Sequence, residues 1–134
     1  MKAATKDWIE LAKRDFSAAQ KLVQDEYLAN ICLFHCQQTI EKLFKGILEE
    51  YGTRIPKIHS VVTLHELLPP EIKNLFIIDP SELSLIDDIY IDSRYPGEIG
   101  LLPNRFPSSS DAKNVLGIAE KIFNQVINFF NLQS

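Results

Sequence analysis

Four polar residues recur at helical spacing in the first half of the chain: His35, Gln38, Lys42 and Lys45. Steps of three, four and three place them on one face of a helix. Two ammonium groups, an imidazole and an amide suit an anionic or polar partner: Lys neutralises charge, His exchanges a proton near neutral pH, and a Gln amide both donates and accepts. A solvated helix face carries the same residue types, so the stripe by itself leaves both readings open. Two other segments could join it. Arg54-Ile55-Pro56-Lys57-Ile58-His59 brings three cationic or titratable groups together, or forms a surface loop whose His caps a helix. Ser93-Arg94-Tyr95-Pro96 offers a guanidinium able to clamp a carboxylate or phosphate in bidentate fashion, unless Asp87, Asp88 and Asp92 hold it.

Other chemistry is poorly served. Cys32, His35 and Cys36 are three metal-ligand types on one helix, but no fourth follows, and structural zinc takes four. The cysteines read better as small core residues, so neither a metal nor a cofactor is expected. There is no Gly-rich phosphate loop, nucleophile elbow or helix-borne zinc motif. No two carboxylates declare themselves as an acid–base couple.

The elements that must position these groups are all helical. Helix one is expected from about Thr5 to Gln24, capped by Thr5 or Asp7, with Trp8, Leu11, Ala12, Phe16, Ala18, Ala19, Leu22 and Val23 as its apolar face. Helix two runs from about Tyr27 to Tyr51 and stops at Gly52. Its apolar stripe is Cys36, Ile40, Phe44, Ile47 and Tyr51, opposite the polar one. The short joint at Asp25-Glu26 makes helices one and two an antiparallel hairpin. Pro56 breaks the next segment, and Ser60 caps a short helix over Val61–Leu68, ended by Pro69-Pro70. Residues 71–79 read as a helical turn followed by an apolar plug. Asp79-Pro80-Ser81-Glu82 starts a fourth long helix, with Glu82 as capping-box partner, ending at Ser93 or Tyr95. Gly97 to Ser110 is a long loop, and the last helix runs from about Ser110-Asp111 to Asn131. The expected fold is therefore all-α: one domain over 1–134, an up-and-down bundle of four long helices plus a short helix.

The 134 residues suit one core. The formal net charge of −4 disfavours a protein that coats nucleic acid non-specifically, though not a small local basic site. No apolar run approaches the roughly 20 residues of a membrane span, and no apolar signal core follows Met1, so a soluble, cytoplasmic protein is expected.

Taken in order, the pieces resemble one family. They are Trp8-Ile9-Glu10-Leu11-Ala12 with Asp15-Phe16-Ser17-Ala18-Ala19, then Phe34-His35-Cys36-Gln37-Gln38-Thr39-Ile40-Glu41-Lys42-Leu43-Phe44-Lys45, then His59-Ser60, then Ser93-Arg94-Tyr95-Pro96. Their order and spacing resemble the HEPN domain (higher eukaryotes and prokaryotes nucleotide-binding) from roughly Asp7 to Phe130. The resemblance implies a helical bundle, commonly a homodimer, often acting with a small nucleotidyltransferase in toxin–antitoxin pairs. On that basis Gln38, Lys42, Lys45, His59, Arg94 and Tyr95 are the expected ligand-binding set for a nucleotide or polynucleotide phosphate. Lys and Arg would neutralise phosphate and Tyr95 would stack on a base. The resemblance also implies an alternative, because some members are metal-independent ribonucleases with an Arg-x4–6-His motif. Arg54 and His59 have that spacing, but Ile55 and Pro56 follow the Arg where the ribonuclease branch has a polar residue, and the segment is a loop. The remaining alternative is a structural or interaction module in which Gln38, His59 and Arg94 form a buried network without a ligand.

Overall fold

The structure, a computed structural model, describes residues 1–94 and 106–133, and the side chains of 1–90 and 106–132. Among the described residues six α-helices follow in order: α1 (Ala3–Leu22), α2 (Ala29–Glu50), α3 (Val61–Leu67), α4 (Pro70–Lys73), α5 (Pro80–Arg94) and α6 (Ser109–Gln133). A 3-10 turn over Glu26–Leu28 precedes α2. Among the described residues there is no strand, and no helix is long and apolar enough to cross a membrane. The four long helices are α1, α2, α5 and α6, as the sequence predicts.

α2 is the central element. It packs against α1, α6, α5 and α3, which is why Cys36, Ile40, Phe44 and Ile47 are wholly buried along with Leu33, Leu43 and Leu48. Each Leu, Ile or Phe among these, taken out of water, contributes about 1.5–3 kcal/mol. Tyr51, the expected end of the stripe, lies at the surface as the C-cap residue. Beyond it Gly52 adopts φ +69°, so its N–H reaches Glu49 O at 3.2 Å and the Thr53 N–H reaches Leu48 O at 3.0 Å. This pair of bonds is the Schellman stop, and the left-handed φ is why glycine sits there.

α1 and α2 form the antiparallel hairpin. Gly46 lets them approach closely: a Cβ added there would sit 3.0 Å from Ile9 Cδ1. α1 starts two residues earlier than predicted, without a side-chain cap. Its first turn is held instead by the end of α2, where the Lys2 N–H donates to Glu50 Oε1 at 3.0 Å and Lys2 Nζ to Glu49 O at 3.1 Å. The buried face of α1 is Ile9, Ala12, Phe16, Ala19 and Val23, while Leu11 is exposed. Ile9, absent from the predicted face, takes the place assigned to Leu11. α2 starts two residues later than predicted, because the Asp25 carboxylate accepts the Tyr27 N–H at 3.0 Å and winds a 3-10 turn first.

α6 closes the bundle, with Phe16 and Phe123 stacked at 4.3 Å between ring centroids. Its start is a reciprocal box: the Asp111 N–H donates to Ser108 Oγ at 3.1 Å and the Ser108 N–H to Asp111 Oδ2 at 2.8 Å. Asp79 caps α5, accepting the Ser81 N–H at 2.9 Å. Glu82, expected to complete a capping box there, instead meets Lys121 of α6 at 3.3 Å. The expected plug over 71–79 proves selective. Phe76 is buried edge-on against Phe129, and Ile78 packs partly on the core, but Leu75 and Ile77 are exposed. The exposed Ile77 has both backbone groups taken by one side chain: its N–H donates to Gln125 Oε1 at 2.7 Å, and its carbonyl accepts from Gln125 Nε2 at 3.0 Å.

Candidate functional site

The polar stripe of α2 divides between two carboxylates. His35 and Lys42 turn toward α1, where Asp15 meets His35 Nδ1 at 2.8 Å and Lys42 Nζ at 2.5 Å. Gln38 and Lys45 turn the other way, toward Glu41. The Glu41 carboxylate accepts from Gln37 Nε2 at 3.0 Å, Gln38 Nε2 at 3.4 Å, His59 Nδ1 at 3.1 Å and Lys45 Nζ at 3.0 Å. Gln37 Nε2 also donates to the His59 carbonyl at 2.7 Å, and Gln38 Nε2 to Gln37 Oε1 at 2.6 Å. The mid-helix amide of Gln38 thus has the partners that partial burial demands.

Glu41 and Lys45 are nearly closed to solvent, with side chains 5% and 8% exposed. Lys45 Nζ also stands 5.7 Å from the centroid of the Trp8 ring. Of the expected phosphate ligands, Lys45 is therefore turned inward as the counter-ion of Glu41. Lys42 remains partly open, although Asp15 offsets its charge. His59 is 63% exposed.

Two imidazoles are thus oriented by carboxylates. A carboxylate only accepts, so the proton on each Nδ1 faces Asp15 or Glu41, and Nε2 is the nitrogen left for other partners. Aromatic contacts link them: Phe34 lies 5.5 Å from His35 and 6.0 Å from Tyr90, and Tyr90 lies 6.1 Å from His59, between ring centroids. Arg94 ends α5 one turn beyond Tyr90. Its side chain and the whole of Tyr95 lie outside the described residues. Arg54 is exposed in the loop between α2 and α3.

Asp87, a possible partner for Arg94 by sequence, has a different role. Its carboxylate accepts the Val61 N–H at 2.8 Å, the Val62 N–H at 3.3 Å and the Ser60 hydroxyl at 2.7 Å. The Ser60 hydroxyl in turn caps the Thr63 N–H at 3.1 Å. α3 is therefore anchored to α5 immediately after His59. Cys32 and Cys36 are buried in the core, and Cys32 Sγ points to Ala19 O at 3.4 Å. The Cys32 contact and burial push the Cys36 thiol well above the usual range, so it is inert as a nucleophile at neutral pH. Among the described residues no three His, Cys, Asp or Glu side chains gather as a metal site.

Sequence reasoning alone passes over Asp15, Gln37 and Glu41 as site residues and names Asp87 only as a partner for Arg94. One signal is available for three of the site groups: Gln37, Glu41 and Lys45 are four apart, hence one column of a helix.

Residues 5–129 match the family model of the HEPN domain. The chain belongs to the HEPN family. This HEPN domain has the fold of two solved structures. TT1696 from Thermus thermophilus is 25% identical, with a TM-score of 0.75 over 92% of this chain and 96% of that one. ST0689, described as an archaeal HEPN homologue, is 28% identical, with a TM-score of 0.69 over 96% of this chain and 98% of that one. No curated protein matches this HEPN domain.

Proposed function

We propose that this HEPN domain binds a nucleotide or polynucleotide phosphate on the α2–α5 face, as a homodimeric subunit acting with a small nucleotidyltransferase. The observation that carries the reading is His59, an exposed imidazole whose Nδ1–H is held by buried Glu41 and whose Nε2 is left for a ligand. The Glu41 carboxylate fixes the orientation of the ring, and an imidazole N–H aimed at a phosphate oxygen is a hydrogen-bond donor to it. Gln38 shares the Glu41 carboxylate with it, Lys42 lies one residue beyond Glu41 on α2 and turned toward Asp15, and Arg94 and Tyr95 follow Tyr90 in sequence. Lys45 stands behind this set and sustains it through Glu41. Calorimetry with a panel of nucleotides tests the reading. The wild type should bind at sub-millimolar concentration, and His59→Ala and Arg94→Ala should each weaken binding roughly tenfold. No binding to the wild type at millimolar nucleotide would sink it. Co-purification with a nucleotidyltransferase and light scattering test the assembly.

The same His59 geometry favours a second reading, a metal-independent ribonuclease. The imidazole would transfer the proton and Arg54 would stabilise charge on the phosphorane. Equal RNA cleavage by the wild type and His59→Ala removes that reading.

A further inference from the structure

The outward face of α1 carries a shallow groove of about 380 Å³, lined by Glu10, Lys13, Arg14, Ser17, Ala18 and Lys21. Lys13, Ser17 and Lys21 follow at steps of four, so they form one column of the helix about 12 Å long. Arg14 stands beside that column, one turn from Ser17, and all four residues are exposed. Charge is spread unevenly along the chain. Residues 1–24 hold five of the 14 Lys and Arg but only three of the 18 Asp and Glu. One of those three, Asp15, is turned inward to His35 and Lys42. The face of α1 is therefore a basic edge on an acidic chain, the kind of local site that a net charge of −4 still permits.

The cations of the groove are open to a ligand. Among the described residues neither Lys13 nor Lys21 meets a carboxylate. The Arg14 Nε–H donates to Glu10 Oε2 at 3.1 Å, with the two side chains 75% and 57% exposed. An exposed pair one turn apart is weak, and the other N–H groups of the guanidinium form a fork suited to two oxygens of one phosphate. Ser17 adds a hydroxyl donor to the column. A compact anion meets one of these groups at a time, whereas a row of anionic groups meets them all.

A run of direct neighbours joins the groove to His59. His59 meets Glu41, Lys42 follows Glu41 and meets Asp15, and Arg14 precedes Asp15. The run crosses from the loop before α3 over α2 to α1. Packed helix axes lie about 8–10 Å apart, and the column adds about 12 Å along α1, so the path is about 20 Å long. A mononucleotide reaches one end of it only. A stacked strand advances about 3.4 Å per nucleotide, so about six nucleotides cover it.

We infer that Lys13, Arg14, Ser17 and Lys21 form a backbone track for a polynucleotide strand that continues from the phosphate held at His59. The inference rests on the reading of His59 as part of a phosphate site, and it adds that the ligand is a strand of several nucleotides rather than a mononucleotide. Lys13 and Lys21 neutralise separate phosphates of the strand, Arg14 clamps one between them, and Ser17 donates to another oxygen. Contacts of this kind fix the path of a strand without reading its sequence.

The test is a calorimetric titration of the full chain with UMP and with single-stranded oligouridylates of two to ten nucleotides, at several salt concentrations. A poly-Glu peptide serves as the competing polyanion. The wild type, His59→Ala and the triple variant with Lys13→Gln, Arg14→Gln and Lys21→Gln are compared, with circular dichroism on each. Wild-type affinity should rise roughly tenfold or more from UMP to about six nucleotides and then level off. The triple variant should bind UMP as the wild type does and lose that gain. Its salt slope should be smaller by about 2, since three phosphate contacts are lost at roughly 0.7 each. His59→Ala should weaken UMP and oligomer binding alike. Equal wild-type affinity for UMP and the longer oligomers overturns the track and leaves the His59 reading standing. A gain with length that survives in the triple variant has the same meaning. Oligomer binding that the triple variant loses, without any binding of UMP, supports the track and removes His59 as its anchor. Poly-Glu that binds as tightly as the ten-nucleotide strand makes the groove a dock for an acidic protein segment and overturns the track. No binding of UMP or oligomer overturns both readings together.

Discussion

The Asp87 carboxylate of α5 accepts the Val61 N–H, the first backbone donor of α3, at 2.8 Å. It also takes the Val62 N–H and the Ser60 hydroxyl, so a short helix that could not stand alone is fixed from across the bundle. Seven residues are too few for a stable isolated helix. Asp87→Ala should cost about 2 kcal/mol, the upper end for loss of a helix cap. Asp87→Asn, which keeps one acceptor, should cost roughly half of that. Urea unfolding followed by circular dichroism gives both values; a wild-type midpoint for Asp87→Ala would show the anchor to be idle.

Glu41 and Lys45 form the buried ion pair of the site. Removing one member strands the other, so Glu41→Ala should destabilise by about 3–5 kcal/mol. Replacing both by Met removes the uncompensated charge and should recover most of that loss. A double-mutant cycle in urea measures the coupling between them. Additive single effects would contradict a paired geometry.

These two sites show what is and is not legible in the sequence. The apolar stripe of α2, the Gly52 stop and the Ser60 cap are readable because each depends on neighbours in the chain. The face of α1 is misread at Leu11, because helical spacing allows either Leu11 or Ile9 inward and packing against Gly46 decides it. The polar stripe is readable as a stripe but not as two clusters. Lys45 meets Glu41 one turn before it on the same helix, but that Lys42 meets Asp15 depends on how α1 packs, and that His59 joins Glu41 depends on the fold of its loop. Asp87 gives no local sign, since it caps a helix 26 residues away.

His65 of α3 should make stability depend on pH. Burial, with its ring 5.7 Å from that of Phe44, and the charge of Lys73 hold its pKa below the ordinary 6.5, while Glu66 opposes them. The folded chain therefore takes this proton less readily than the unfolded chain. Stability contributed by neutral His65 is intact above pH 6.5, falls as pH drops through that value, and levels off below the folded pKa. Urea midpoints measured from neutral pH down to about 5 should decline, and His65→Gln should flatten part of the slope. An unchanged slope in the variant would place the dependence elsewhere.

Gly117 sits inside α6, exposed, with nothing within 4 Å of an added Cβ. A glycine in mid-helix spends backbone entropy for no packing gain. Gly117→Ala should therefore stabilise by about 0.5–1 kcal/mol. Thermal unfolding reads it directly, and a lower melting temperature would mean that the exposed face of α6 is occupied in solution.

The bond pair between Gln125 and Ile77 bears on self-association. Leu75-Phe76-Ile77-Ile78 has the composition of a segment that recruits further strands: uncharged, apolar, and free of Pro and Gly. Such recruitment starts from open backbone donors and acceptors. At Ile77 both are already occupied by one amide, which imitates the edge of a neighbouring strand. Gln125 thus closes both backbone groups of Ile77 from 48 residues away, so that this residue offers no open edge to a second chain.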